Sequence, residues 1–329
     1  MTARVLVTGG AGYIGSVVVD QLLARGHGVV VLDDLSTGHR EAVAEGATFV
    51  HGGIGDRGVV ESLLAREPVD AIVHLAAFAL VAESVADPEK YRANNVAAAR
   101  VLLAAAVGAG VRRFVFSSSC TVYGYPAAVP IDEDASKAPV SPYGETKLEF
   151  ERLLEAHAAR DGLDVVTLRY FNAAGATERR GEDHDPESHL VPNVLAVALG
   201  TRAAVDVFGT DYATPDGTAV RDYIHVDDLA EAHGRALDVP VDGGRALALN
   251  LGTGSGHSVR QVVAAARRVT GHPIPAADRP RRPGDPPELV AAAQRAATVL
   301  GWRPRRSSLE EILASAWRWH RAHPRGYRS

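Results

Sequence analysis

Eleven residues near the start constrain this chain most. Val5-Leu6-Val7-Thr8-Gly9-Gly10-Ala11-Gly12-Tyr13-Ile14-Gly15 reads as a short β-branched strand, a glycine-rich turn and the opening of a helix. The glycines let the backbone turn tightly and approach a pyrophosphate at the helix N-terminus, where free N–H groups and the helix dipole favour an anion. A glycine-rich turn without a ligand is the plainer reading, and the order strand, glycines, helix weighs against it. Gly9, Gly12 and Gly15, with Tyr13 and Ile14 between them, are therefore candidate cofactor-binding residues. Asp33 ends the next apolar run, 18 residues after Gly15, where a carboxylate accepts hydrogen bonds from an adenosine ribose. With Asp34 beside it, a 2′-phosphate would meet two negative charges, so NAD is expected over NADP. Asp34 serves equally well as a loop cap, a role less expected of Asp33.

The first half continues in the same rhythm. Strands are predicted at Val5–Val7, Val29–Leu32, Thr48–Val50, Ala71–Leu75, Phe114–Phe116 and Val165–Leu168, separated by helices such as Ser16–Arg25 and Tyr91–Gly108, the latter started by Asp87-Pro88. Right-handed crossovers turn such units into an α/β doubly wound parallel sheet. After about Asn172 the rhythm breaks into shorter elements separated by Gly-, Pro- and Asp-rich loops, as at Phe208–Gly217 and Arg279–Pro287. The expected division is residues 1–172 for the cofactor, with later segments returning to that domain, and residues 173–329 for a smaller C-terminal α/β part that covers the substrate. Hydrophobic residues at 46% and charged residues at 23% match an ordinary globular enzyme, and a net charge of -5 offers no attraction for nucleic acid or an anionic membrane. A single cysteine, Cys120, excludes an intramolecular disulfide, and the opening Met-Thr-Ala-Arg carries no long apolar stretch, so a cytoplasmic location is expected.

The chemistry is suggested by Tyr143-Gly144-Glu145-Thr146-Lys147. Removing a proton from an alcohol as its carbon loses hydride needs a base, and free tyrosine, with a pKa near ~10, is a poor one. Lys147 falls four residues on, on the same helix face, where its charge is expected to favour the phenolate. With 9 Tyr and few Lys in the chain, about 0.08 such spacings arise by chance. A solvated helical pair is the alternative, weakened by Ser141-Pro142, a helix-start signal directly upstream. Ser117-Ser118-Ser119 follows a predicted strand at the carboxyl edge where such sheets bind ligands, so Ser119 is expected to share the substrate proton with Tyr143.

These segments together resemble the extended short-chain dehydrogenase/reductase superfamily, and within it the UDP-glucose 4-epimerase family. The resemblance spans nearly the whole chain: Val5–Ser16, Ser117–Gly124, Ser141–Lys147, Arg169-Tyr-Phe-Asn172, Val220-Arg-Asp-Tyr-Ile-His-Val226, Asn250-Leu-Gly252 and Arg281-Arg-Pro-Gly-Asp285. It implies a Rossmann fold and an NAD-dependent C4 epimerisation of UDP-glucose and UDP-galactose. In that scheme Tyr143 takes the O4 proton while C4 gives hydride to NAD, the 4-keto sugar rotates, and hydride returns to its other face. Lys147 and Ser119 support Tyr143. The resemblance also implies cofactor contacts from Ile54, Asn94, Ser117, Lys147 and Tyr170. On the UDP-sugar it implies contacts from Ser119, Tyr143, Asn172, His189, Phe208, Arg221, Arg282 and Asp285. Guanidinium groups suit phosphate oxygens, though unaided by the resemblance Arg221 and Arg282 read as surface charges. A homodimer is the family expectation.

The chain departs from the family in several places. Gly53 replaces an aspartate that contacts adenine, Ala79 replaces a lysine that helps hold the cofactor, and His189 stands where others carry Asn. His189 reads either as a contact to the sugar or diphosphate or as a structural helix-start residue. Glu182-Asp-His-Asp185 shows no recognised ligand spacing, and no metal is expected. Leu289 falls where the room around the sugar's 2-substituent is set. UDP-glucuronate, UDP-pentose and UDP-N-acetylhexosamine epimerases stay open, with Arg179, Arg180 and Thr121 as carboxylate contacts. Cys120-Thr121 replaces the Asp-Glu of the 4,6-dehydratases and disfavours dehydration. A non-catalytic NAD-sensing protein would need the glycines and Asp33 but not Tyr143 with Lys147.

Overall fold

The computed structural model describes residues 2–240, 243–282 and 284–328. Its strands in chain order are β1 Arg4–Thr8, β2 Gly28–Asp33, β3 Thr48–His51, β4 Ala71–His74, β5 Arg113–Ser119, β6 Asp164–Tyr170, β7 Asn172–Ala174, β8 Val205–Phe208, β9 Val220–His225, β10 Ala246–Leu251, β11 Gly256–Ser258, β12 Ala276–Arg279 and β13 Glu288–Leu289. Its helices are α1 Tyr13–Ala24, α2 Arg57–Arg66, α3 Val81–Ala86, α4 Pro88–Arg92, α5 Ala99–Gly108, α6 Pro142–Asp161, α7 Leu190–Ala198, α8 Val226–Asp238, α9 Val259–Thr270, α10 Gln294–Leu300 and α11 Leu309–Ala322.

Seven strands form one parallel sheet in the order β10-β6-β5-β4-β1-β2-β3. The chain leaves β1 toward β3 on one side and returns to β4 on the other, which opens a crevice at the carboxyl ends of β1 and β4. Strand alternation explains why both faces are buried. Val5, Val7, Val29, Val31, Val115 and Val166 point into the layer under α1 and α8, while Leu6, Val30, Leu32, Ile72, Phe114 and Val165 point into the layer under α2, α5 and α6. The six expected strands are all present. The seventh, β10, was not foreseen: Ala246-Leu-Ala-Leu carries little β preference, and only pairing with β6, Ala246 opposite Val165 through Leu251 opposite Tyr170, makes it a strand.

The helix expected over Tyr91–Gly108 is interrupted. Asp87 caps α4 by accepting from Lys90 N at 3.1 Å, and a π-helical turn over Ala93–Ala98 joins α4 to α5. That wide turn directs Asn95 inward, where it accepts from Phe78 N and donates to Phe78 O and Thr146 Oγ1. Ser141 starts α6 by accepting from Gly144 N at 3.2 Å, with Pro142 in the first turn.

Beyond Asn172, β9 pairs with β7, β11 and β13, and β8 with β12, over an apolar layer from α7, α9 and α11. The chain then returns to the main sheet: α8 packs on α1, and α10 on α8 and β10. Pro283, inside Arg281–Asp285, lies outside the described residues. Among the described residues no helix is long and apolar enough to cross a membrane.

Candidate active site

The glycine-rich turn is built for close approach. Gly9 adopts φ +73°, and a Cβ on it would sit 2.6 Å from Ala76 N. Gly15 is stricter, since a Cβ there would lie 2.0 Å from Gly9 O. Helix α1 has Gly12 as N-cap with no side-chain cap and no acidic residue in its first turn, so its N-terminal field faces the crevice undiminished. This fits a pyrophosphate. Asp33 is buried beside it and accepts from Ala11 N and Leu35 N, both at 2.9 Å. It is therefore a loop cap as well, contrary to the sequence reading that kept it free for a ribose. A carboxylate has about four acceptor positions, so two backbone bonds leave room for ribose hydroxyls. Asp34 caps Ser36 N at 2.9 Å, and Ile54 is buried after β3. For Gly15→Ala we expect the turn to shift and NAD affinity to fall at least ~10-fold, about 1.4 kcal/mol, measured by calorimetric titration of NAD. Unchanged affinity would mean that this turn does not hold the cofactor.

Tyr143 and Lys147 lie on one face of α6, with Lys147 Nζ 5.7 Å from the Tyr143 ring centroid. Lys147 Nζ donates to Ser117 O at 2.8 Å and sits over the Phe116 ring. Burial pushes its pKa down to about 7, with the Glu151 charge opposing. Burial likewise pushes the Tyr143 phenol up to about 12, while Ser119 pulls it down and Cys120 adds to the rise. The expected lowering of the Tyr143 pKa by Lys147 is not met in the free protein, where desolvation dominates and the lysine's own charge is weakened by burial. Ser119 has a specific geometry. Its Oγ accepts from Thr121 N at 3.2 Å and from Thr121 Oγ1 at 3.0 Å. A hydroxyl has two acceptor positions and one donor, so the O–H alone remains, and it suits a phenolate or an alkoxide.

The other expected cofactor residues are arranged less uniformly. Asn94 is half-buried on the π-helical turn and donates to Asn95 Oδ1 at 3.1 Å. Tyr170 is buried, its hydroxyl bonds His233 Nε2 on α8, and its phenol also feels Ser117 and Tyr143. Ser117 is buried at the end of β5, where its carbonyl anchors Lys147.

On the substrate side, Asn172 begins β7, Phe208 ends β8 and Arg221 lies on β9. Arg221 pairs with Asp285 and donates to Pro286 O at 2.8 Å. Burial pushes the neighbouring Cys120 thiol up to about 12, against the lowering effect of the Arg221 charge. Arg282 lies 4.0 Å over the Phe208 ring. Next to them is a cleft of about 510 Å³ lined by Tyr125, Tyr212, Arg281, Arg282, Asp285 and Pro287. Tyr212 and Arg281 were missed; the stacking of Arg281 over Tyr212 at 4.2 Å joins residues far apart in sequence, and no local pattern signals it. Leu289 is buried with Cys120, Tyr123 and Phe171 beside Ser119.

Other expectations are corrected. His189 N-caps α7, as its structural reading held, and its Nδ1 is committed to Glu182 and Glu187 at 2.8 and 3.0 Å. Arg180 is committed to Asp20 on α1, Arg179 is exposed with one guanidinium nitrogen 3.5 Å from the same carboxylate, and Thr121 donates to Ser119.

A glycine turn before an uncapped helix, with a Tyr–Lys pair at the same sheet edge, defines a dinucleotide-dependent enzyme acting on an alcohol or ketone. The chain belongs to the NAD-dependent epimerase/dehydratase family, whose profile matches residues 5–252. It is 52% identical over 328 residues to a UDP-glucose 4-epimerase of Streptomyces lividans, covering 99% of each chain. It is 49% identical over 325 residues to one of Halalkalibacterium halodurans, covering 98% of this chain and 97% of the relative. A UDP-glucose 4-epimerase structure from Stenotrophomonas maltophila, with bound NAD and formylated UDP-arabinopyranose, superposes with TM-score 0.94 at 42% identity, covering 98% of this chain and 99% of that one. The cofactor is NAD.

Proposed function

We propose that this enzyme interconverts UDP-glucose and UDP-galactose by inverting C4 through a transient 4-keto sugar. The observation that carries the reading is Ser119, whose two acceptor positions are taken by Thr121, leaving one O–H beside Tyr143 on the carboxyl edge of the sheet, where it lowers the phenol's pKa against burial. Tyr143 takes the O4 proton and later returns it, with Ser119 donating to the oxygen that carries the charge. Lys147, held on Ser117 O, keeps the adjoining strand end and α6 in register and adds positive charge when protonated. NAD held on the Gly9–Gly15 turn would supply the hydride acceptor and donor for C4, so that the reaction involves no net oxidation. Arg221 and Arg282, with Phe208 and Asp285, hold the diphosphate and uridine and leave the hexose room to rotate. Residues 1–172 carry the cofactor in this reading, and the later part covers the sugar nucleotide. Tyr170, its hydroxyl committed to His233, contributes through its backbone or ring edge. Homodimeric assembly and a cytoplasmic setting accompany the reading on family resemblance.

UDP-glucuronate is disfavoured because Arg180 is held on Asp20 by two hydrogen bonds. Purified protein offered UDP-glucose, UDP-galactose, UDP-GlcNAc, UDP-glucuronate and UDP-xylose in turn, with C4 epimers resolved by chromatography, tests this. The expected result is one equilibrium mixture reached from UDP-glucose or UDP-galactose without accumulating NADH, and slower turnover of the others. Absence of a C4 epimer from every substrate would overturn the reading.

A further inference from the structure

A second cluster of chemically able side chains lies outside the Tyr143–Lys147 pair, in the segment joining β7 to α7. Glu182, His184, Glu187 and His189 each offer one possible ligand atom, all four atoms within 4.8 Å of one another. His189 Nδ1 is 2.8 Å from Glu182 Oε1 and 3.0 Å from Glu187 Oε1. His184 Nδ1 is 3.2 Å from Glu182 Oε1 and 3.8 Å from Glu187 Oε2. Zinc bonds of about 2.0–2.2 Å in a tetrahedron imply donor separations of roughly 3.3–3.6 Å. The two histidines lie 2.8 and 3.2 Å from Glu182 Oε1 and the four atoms span no more than 4.8 Å, so shifts of a fraction of an ångström to about an ångström would seat the ion. The donor set carries two negative charges, matching one divalent ion, and its two imidazoles select a transition metal over calcium or magnesium.

We propose that these four side chains form a structural zinc site. Four protein ligands leave no open position, so the site fastens the fold and performs no chemistry. What it fastens is specific. The His184 ring meets the Tyr13 ring edge-on at 6.3 Å, and Tyr13, the first residue of α1, donates to Gly175 O at 2.6 Å. Between the ligands, Asp183 accepts from Tyr327 N at 2.9 Å and pairs with His39. A zinc ion here clamps the 182–189 segment between the cofactor end of α1 and the chain following α11. The spacing escaped the sequence because Glu-x-His-x-x-Glu-x-His is not a standard ligand pattern; the loop, and not a helix or hairpin, brings the donors together.

The full chain, freed of metal with a chelator and dialysed, is titrated with zinc chloride alone. The proposal expects one zinc per chain by mass spectrometry of the metal, and zinc-edge X-ray absorption showing four N/O ligands near ~2.0–2.1 Å without sulfur. Glu182→Gln and His184→Asn are each expected to weaken zinc affinity at least ~100-fold against a competing chromophoric chelator, since loss of an outer-shell partner alone costs up to about that. Zinc well below one per chain, six-coordinate zinc, or unchanged affinity in folded variants would overturn it and leave an ion-pair cluster. The wild-type absorption spectrum decides the matter even if the variants do not fold.

Discussion

Replacing Tyr143 by Phe is expected to lower kcat about 10³-fold, in the middle of the range for loss of a general acid–base group, while NAD remains bound. The ring and its contacts are kept, and only the phenolic O–H is lost. In the free protein the phenol stays up to about 12 and Lys147 is held down to about 7, so near neutral pH Tyr143 is protonated and Lys147 is only partly charged. The phenol therefore needs help from the Ser119 O–H and from positive charge in the assembled site to accept a proton. Ser119→Ala, which removes that donor, should lower kcat less than Tyr143→Phe and shift the rising limb of the kcat/KM profile to higher pH. Steady-state rates across pH and the NAD content of the purified variant check both points. Turnover within a factor of a few of wild type would remove Tyr143 as the proton acceptor.

Arg169→Met is expected to destabilise the fold by about 3–5 kcal/mol, because it strands the Glu151 carboxylate in the core. The pair is among the most enclosed in the molecule, with side-chain exposures of 1% and 2%. Arg169 on β6 grips Glu151 on α6 at 2.6 and 3.0 Å and also donates to Tyr123 Oη at 2.8 Å and Glu133 O at 3.2 Å. Glu151 accepts from Ser118 as well, and Tyr123 donates to Asn250 on β10 at 2.7 Å. One network thus ties the helix carrying Tyr143 to the strand end carrying Ser117 and Ser119. For a chain of 329 residues the expected loss lowers Tm by about 4–7 °C, measurable by calorimetry. The double variant Arg169→Met with Glu151→Leu should recover more than half of it, since replacing both charges by apolar groups is often neutral. A single-variant loss under ~1 kcal/mol would show that the pair is solvated.

How much was legible in the sequence varied with how local the signal was. The glycine turn, the start of α6 at Ser141-Pro142 and six alternating strands depend on neighbouring residues and were readable. Strand β10 was not, because an Ala-Leu run takes its conformation from the β6 edge. Asp33 was expected to serve the ribose alone, yet the loop it ends also needs it as a cap. His189 reads from the sequence as a sugar or diphosphate contact or as a helix-start residue, and the structure sets its Nδ1 against carboxylates two and seven residues upstream.

By itself the sequence determined six of the sheet's seven strands, the cofactor turn and the Tyr143–Lys147 spacing, since backbone preference, hydrophobic alternation and helical period act over a few residues. Only the tertiary structure decided that Lys147 reaches Ser117, that Ser119 keeps a single donor, that Arg169 supports the strand end beneath them, and that Glu182, His184, Glu187 and His189 converge. The physical reason is that a side chain's charge, hydrogen bonds and direction are set by what surrounds it, and those surroundings come from segments distant in the chain.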